Sequence, residues 1–520
     1  MKSILNKIAL SLVAGSFLLL SAIFSCTNLD EIVYDTITSD QFPKTPDQIN
    51  SIIGPVYKTL KSLWPGDMFC VIEQSGDMAV TPTRRGGDWW DGGVHMELSM
   101  HTWTDENGPV RGSWNSCVNA IATCNRVYLT IEESDMEPAL KARTLAEIRG
   151  IRAFWYYVLI DMFGNAPLTT DYKDLTLPSI TSRADLFRFV VSELNEIKDV
   201  LRSEVNSSSY SKFTKGVAYT LLAKMHLNAQ VWTGTPNWDG VIAACDEVMK
   251  LDYIIEPVWK TNFQVKNDVS KECIFPICFS SADGGNQLHY RTLHYNAPPA
   301  LGMRFGTWNG ISAYPDYVRL FDEDDQRFEG SFLMGPLYDP TTGLVIMTGH
   351  DRPLIHTIEI PTIPGTEKSG TLWGEVEQEV GARVFKWEYE RGLTNADQNN
   401  HFHIFRLADV YLMKAEALLR KNGDGDVEAT RLINVIRARG FGNEDKNYTA
   451  ATLEDLYLER RLELAWENYS RQDAIRFDNF GKLTQWRETE TPAYRKLFPI
   501  PVSAWRSNNN LVQNPGYPPF

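Results

Sequence analysis

The sequence predicts a mainly α-helical protein in which antiparallel helix pairs accompany a less regular, loop-rich half. Three observations predict it. Between Phe402 and Arg439, apolar residues at Ile404, Leu407, Ala408, Tyr411, Leu412, Ala415, Leu418 and Leu419 form one stripe at helical spacing. Asn422-Gly423-Asp424-Gly425-Asp426 breaks it, and Ala429, Leu432, Ile433 and Ile436 carry a second stripe; so short a turn requires antiparallel helices. Leu221-Leu222-Ala223-Lys224-Met225 echoes Tyr411-Leu412-Met413-Lys414-Ala415, so at least three such pairs read as a degenerate array of the tetratricopeptide kind. Between Trp259 and Asn400, by contrast, the helical period fails, and Gly and Pro punctuate short apolar and aromatic runs.

Taken from the N-terminus, Lys2 and Lys7 precede an apolar run from Ile8 to Phe24 and a small Ser25, the pattern of a signal peptide spanning residues 1–25. Ala22-Ile23-Phe24-Ser25-Cys26 resembles a bacterial lipobox, in which Cys26 is lipidated and becomes the first mature residue. An ordinary cleaved signal and a short membrane anchor are the alternatives. Acyl burial at about 0.8 kcal/mol per CH₂ makes a multiply acylated cysteine an effectively permanent anchor. The polar stretch 26–46 then reads as a lipidated tether.

Ile49, Ile52, Ile53, Val56, Tyr57 and Leu60 predict a first helix, and Pro65 to Pro109 an unusual tryptophan-rich loop region. Helices resume at Trp114, Val118 and Ile121, and from Ala139 to Phe163, where Gly164-Asn165-Ala166-Pro167 ends the run. Partners follow from Ser182 to Leu201, Thr214 to Gln230 and Trp238 to Met249. After the irregular stretch and the helix pair described above, Leu453 to Glu467 forms a last long helix, before a Pro- and Asn-rich tail.

A hydrophobic content of 43% and an aromatic content of 12% suffice for one large or two fused cores. The net charge of −15 and the lack of a basic stripe argue against a nucleic-acid partner. Of the cysteines after Cys26, Cys117, Cys124 and Cys245 lie on apolar helical faces and read as buried thiols. Cys273 and Cys278 point to opposite faces of an extended run, which disfavours a disulfide or zinc site. His401 and His403 lack further ligands, and Asp322-Glu323-Asp324-Asp325 lacks the alternating spacing of a calcium loop. No metal or cofactor is expected.

The C-terminal third carries a family likeness. Phe405-Arg406-Leu407-Ala408-Asp409-Val410-Tyr411-Leu412-Met413-Lys414-Ala415-Glu416-Ala417, Ile433-Asn434-Val435-Ile436-Arg437-Ala438-Arg439, Glu459-Arg460-Arg461-Leu462-Glu463-Leu464 and Arg471-Gln472-Asp473-Ala474-Ile475-Arg476-Phe477 appear in that order. Together with Phe498-Pro499-Ile500-Pro501 and Gln513-Asn514-Pro515-Gly516-Tyr517, they resemble the SusD/RagB family of outer-membrane nutrient-binding lipoproteins. Arg152-Ala153-Phe154-Trp155-Tyr156 and the loop from Asp88 to Trp103 extend the likeness over nearly the whole mature chain. The resemblance divides the chain into an N-terminal SusD-like region, 47–258, and a C-terminal RagB/SusD region, 259–520. It implies tetratricopeptide-like pairs packed against an irregular ligand-binding half, and a surface-exposed, outer-membrane lipoprotein, not an enzyme. Its expected partners are a glycan, in some members a peptide, and a SusC-like TonB-dependent transporter.

Sugar rings offer an apolar face and a hydroxyl rim, so a glycan site needs flat aromatics beside Asp, Asn or Arg. Stacking over about 50 Å² gives roughly 1 kcal/mol per ring. Trp89, Trp90 and Trp103 with Asp77, Arg84, Arg85, Asp88 and Asn107 have that composition. Tyr290, Tyr295, Trp308 and Asn309 form the expected opposite wall, since the resemblance places binding loops in these two regions. Trp155, Trp232 and Trp466 read as core. Arg406, Arg460, Arg461, Glu463, Glu467, Arg471 and Asp473 read as a structural ion-pair and capping network. Two other classes stay open: an exported glycoside hydrolase using a pair among Asp77, Asp88 and Asp91, and a helical scaffold that binds only proteins.

Overall fold

A computed structural model describes residues 46–520; the expected signal peptide, the lipidation site at Cys26 and all but the end of the tether lie outside the described residues. The first described helix is α1 (Pro46–Lys58). The segment 65–109, expected to be loop, holds two further helices, α2 (Asp67–Ser75) and α3 (Val94–Met100). The first is short but buries Met68, Phe69 and Val71, and its few residues cannot display a full helical period.

The long helices start where their caps stand. In α4 (Gly108–Glu132), Asn107 accepts from the Val110 N–H and Pro109 occupies the first turn. In α5 (Pro138–Met162), the Glu137 carboxylate accepts from the Ala139 and Leu140 N–H groups. Ser182, Thr214 and Asn237 cap α6 (Arg183–Ile197), α7 (Lys215–Leu227) and α8 (Trp238–Met249). α4 packs on α5, α5 on α6, and α7 on α8.

The C-terminal pair is α9 (Leu407–Asn422) and α10 (Val427–Phe441), followed by α11 (Leu453–Glu463) and α12 (Ser470–Arg476). Between α9 and α10, Gly423 and Gly425 take φ of 95° and 83°, and Asp426 caps α10 by accepting from the Ala429 N–H. Ala408, Leu412, Ala415 and Leu419 of α9 meet Ala429, Leu432, Ile433 and Ile436 of α10 and Leu456 of α11 in one buried cluster. Met249 of α8 packs against it, so the helix pairs share their cores.

Strands are short and antiparallel: β1 (Ala79–Val80), β2 (Cys273–Ile277), β3 (Ser312–Ala313) and β4 (Phe402–Arg406). β2 pairs with β4, and β1 with β3. The helical stripe read from Phe402 onward therefore begins only at Leu407. All five residues of β4 are buried, and a strand buried on both faces shows no clear alternation that would separate it from a helix. Cys70, Cys117, Cys124, Cys245, Cys273 and Cys278 are all free thiols.

The family motifs of the C-terminal third converge on a buried ionic lattice. Arg406 meets Glu272 (2.6 Å), Glu463 (2.8 Å) and Glu467 (2.7 Å), and Arg439 joins Glu272 and Glu463. Arg460 bridges Asp409 (3.0 Å) and Asp473 (2.8 Å), and Lys224 closes on Asp409. Burial alone pushes carboxyls up, but Arg439, Arg406 and Arg327 hold Glu463 down at about 2, as Arg460 and Arg476 hold Asp473 at about 2. Arg461 and Arg471 stand apart from this lattice: the first stacks on Tyr317, and the second lies over Phe498 and donates to the Lys496 carbonyl.

Candidate functional site

The β1–β3 pairing brings residues 81–93, the core of the tryptophan loop, beside the segment ending at Gly310. The loop folds back on itself: the Arg84 N–H donates to the Asp88 carbonyl (2.8 Å), and Gly86 and Gly87 at the tip take φ of 94° and 87°. Arg84 itself is fully buried and reaches across to the second loop. Its Nε donates to the Asn309 carbonyl (2.9 Å), Nη1 to the Val380 carbonyl (2.9 Å), and Nη2 to the Gly310 carbonyl (3.0 Å) and Ser312 Oγ (2.7 Å). Arg383, also buried, donates to the same Ser312 Oγ, to Asn309 Oδ1 (2.8 Å) and to the Val380 carbonyl (2.8 Å). Burial lowers Arg84 to about 10, partly offset by Tyr295, Glu379 and Asp88.

This cage fixes two tryptophans against each other. Trp89, at φ 62°, donates through Nε1 to the Trp308 carbonyl (2.6 Å), and the two rings meet edge to face at 6.0 Å. Tyr290 backs Trp308 at 4.3 Å, and Gly310 allows the Trp89 ring to lie close to the backbone, where an added Cβ would come within 2.5 Å of it. Asp88 is held by the Trp89 N–H (3.0 Å) and by the Tyr295 hydroxyl. Between these groups opens a cavity of about 590 Å³, lined by Asp88, Trp89, Tyr295 and Trp308 with Asp67, Arg111 and Arg291. Trp308 is 43% exposed, the only tryptophan among the exposed large apolar side chains of the described residues. Asp91, Cys70 and His95 also line it; burial pushes the thiol up to about 12 and the imidazole, aided by Arg291, down to about 4, so both are neutral near pH 7.

Of the residues expected from sequence, the structure thus gathers Asp88, Trp89, Tyr295 and Trp308 around one cavity. Arg84, Asn309 and Tyr290 lie behind that wall and position it. Asn107 is buried beneath it, capping α4 and donating to Glu97 Oε2 (2.7 Å). The others lie elsewhere. Trp103 is 1% exposed, with Nε1 donating to Tyr517 Oη (2.7 Å), so its ring belongs to the core. Asp77 pairs with Arg487 (2.5 Å), Arg85 faces Glu377 (3.3 Å), and Trp90 lies under Lys368 Nζ at 4.5 Å. Asp67, Arg111 and Arg291 escaped the sequence reading. Arg291 directly follows Tyr290, and the other two open helices that flank the loop, but only the folded chain brings them together. A smaller cavity of about 350 Å³ near α1 is lined by Lys58, Lys61 and Lys212 and has no tryptophan.

Among the described residues no group of three or more His, Cys, Asp or Glu side chains is arranged to hold a metal ion, and no helix is long and apolar enough to cross a membrane.

The fold and the sequence can be set beside those of known proteins. Residues 375–517 match the sequence model of the SusD family, and the chain is similar to SusD-like proteins. It is 28% identical over 425 residues to the starch-binding protein SusD of Bacteroides thetaiotaomicron, covering 74% of each chain. It is 23% identical to the SusD-like protein P25 of Formosa agariphila, covering 95% of this chain and 96% of that one. Its fold superposes on a laminarin-binding SusD-like protein with a TM-score of 0.72 at 21% identity, over 91% of this chain and all of the other. A surface glycan-binding protein A of Bacteroides thetaiotaomicron, solved in complex with laminarihexaose, matches with a TM-score of 0.72 at 17% identity, over 90% of this chain and 99% of that one.

Proposed function

We propose that this chain captures glycans at the cell surface and passes them to a SusC-like TonB-dependent outer-membrane transporter, held there by a lipid on Cys26 after removal of residues 1–25. The observation that carries the binding role is the Trp89–Trp308 wall. Two indoles converge on a cavity whose rim also supplies carboxylates and guanidiniums, and the buried Arg84 and Arg383 fix their geometry. Relatives named for starch, laminarin and laminarihexaose support the same ligand class. Asp88, Trp89, Tyr295 and Trp308 are the proposed contacts, with Arg84, Asn107, Tyr290 and Asn309 holding them in place. The chain needs no bond-making chemistry for this role. Of the three carboxylates a hydrolase would draw on, Asp77 is engaged by Arg487 away from the cavity and Asp88 already accepts two hydrogen bonds.

Titration of the purified protein with a panel of polysaccharides and oligosaccharides, followed by tryptophan fluorescence and by chromatography of the sugars, tests this. Saturable quenching without degradation is expected, and Trp308→Ala is expected to weaken it about fivefold, the value of one stacked ring. Degradation products would establish the hydrolase reading instead. An unchanged affinity in Trp308→Ala would remove this cavity from the binding site. Release from the membrane fraction on Cys26→Ala checks the anchor.

A further inference from the structure

Resting on the glycan-binding reading, we propose that the cavity selects a carboxylated sugar, a hexuronate unit, and that Arg291 and Arg111 are the residues that read its carboxylate. Most buried guanidiniums in this protein are engaged: Arg84 makes four hydrogen bonds, and Arg406 meets three carboxylates. Arg291 is half-buried in the cavity, yet among the described residues its side chain has no hydrogen-bond or ion-pair partner. Its one contact is with an aromatic face, its guanidinium lying 5.6 Å from the Trp308 ring centroid. Arg111, in the first turn of α4, lines the same cavity and is likewise unpartnered.

Two forks of N–H donors, Arg291 half-buried and Arg111 exposed, therefore line the cavity without acceptors from the protein. Such a fork matches a carboxylate bidentately, and stacking on an indole holds its plane before the ligand arrives. The carboxylate nearest in influence is Asp67, which feels both arginines but lies beyond ion-pair distance of each, so this group of three carries a surplus positive charge. Asp88 and Asp91 also line the cavity, so the arginines stand out by lacking a partner and not by net charge. Asp88 is held by Tyr295 and the Trp89 N–H, and Asp91 is exposed, 3.8 Å from the His95 ring. Asp67 and Asp91 are instead placed to accept from sugar hydroxyls. A hexuronate supplies all three complements: an apolar ring face for Trp308 and Trp89, hydroxyls for the aspartates, and a carboxylate for the arginines. A neutral hexose leaves the last unmet.

The test uses oligogalacturonate and oligoalginate, their methyl esters, and a neutral gluco-oligosaccharide, titrated into the purified full chain by calorimetry. At least one oligouronate is expected to bind, with affinity that falls as salt rises, while its methyl ester binds about tenfold more weakly. Arg291→Met is expected to lose about tenfold or more on the acid form and little on the ester, with Arg188→Met on exposed α6 as the control. Should Arg291→Met fail to fold, the acid-against-ester comparison on the native chain and Arg111→Met decide the matter. Equal affinity for acid and ester, or binding of the neutral sugar alone, overturns the carboxylate inference and leaves glycan capture standing. Binding of none of these sugars overturns the inference, and failure across the wider glycan panel as well overturns the reading beneath it.

Discussion

Buried arginines do opposite work in the two halves of this molecule. In the helical core, Arg406 and Arg460 are surrounded by carboxylates, and although burial would lower them, Glu467 and Glu463 around the first and Asp473 and Asp409 around the second hold them above the ordinary arginine range. In the loop cage, Arg84 and Arg383 meet backbone carbonyls, the Asn309 side-chain amide oxygen and the Ser312 hydroxyl, and burial pulls both below that range. The first arrangement neutralises charge where helices converge. The second uses a guanidinium as a template, placing N–H donors where two irregular loops would otherwise leave carbonyls without ladder partners. The core is thereby fixed by charge balance, and the site by shape.

The difference is sharpest on removal of a cation. Arg406→Met strands Glu272, Glu463 and Glu467 in a dry interior, and breaking such a lattice on one side costs about 3–5 kcal/mol. Urea denaturation is expected to show that loss; a change below about 1 kcal/mol would mean the lattice relaxes and that charge balance does not hold the core. Acid probes the same contrast with less effect per group. Glu463 and Asp473 are held at about 2, below their ordinary values of about 4.3 and 3.9, so their pairs contribute fully above pH ~4 and are lost as pH falls through about 2. Urea midpoints measured at pH 5, 4, 3 and 2.5 are expected to drop steeply within that window. A flat profile there would break the comparison, because it would mean that these pairs do not hold the core.

The contrast also explains what could be read from sequence. The helix pairs were legible because a stripe at period 3.6 repeats over many residues, and the motif positions Arg406, Arg460, Glu463 and Asp473 declared a network by their density of charge. The site was legible only in part. Trp89 and Trp308, expected by residue type in glycine-rich loops, line the cavity, but Trp103, in the same loop region, turns inward to bond Tyr517, a residue far along the chain. No local pattern distinguishes a tryptophan whose N–H partner comes from the C-terminal tail from one facing solvent. The chemistry of Arg84 suits a ligand contact; its carbonyl partners, at residues 309, 310 and 380, come within reach only in the folded chain. The β4 strand reads as helix in the sequence because burial on both faces blurs its alternation.

The smallest perturbation separates shape from stability within the cage itself. Gly310 and Gly86 both lie in the loops that frame the cavity, but they restrict alanine in different ways. At Gly86 nothing lies within 4 Å of an added Cβ, and only its φ of 94° resists, so Gly86→Ala is expected to cost about 1 kcal/mol of stability and leave ligand affinity nearly unchanged. Gly310 has no such backbone strain, but its new Cβ would come 2.5 Å from the Trp89 ring, which must move. That ring is half-buried at a cavity edge and can swing outward, so Gly310→Ala is expected to cost less than about 1 kcal/mol in a thermal melt. The swing breaks the Trp89 Nε1 bond to the Trp308 carbonyl and parts the two indoles, and glycan affinity is expected to fall about fivefold or more, measured by the same fluorescence titration. If Gly310→Ala binds as the native protein does, the Trp89 ring is not part of the contact surface, and Trp308 with Tyr295 must carry the sugar alone. If it loses stability as Arg406→Met does, the cage is as tightly coupled as the core, and the two halves no longer differ in what holds them.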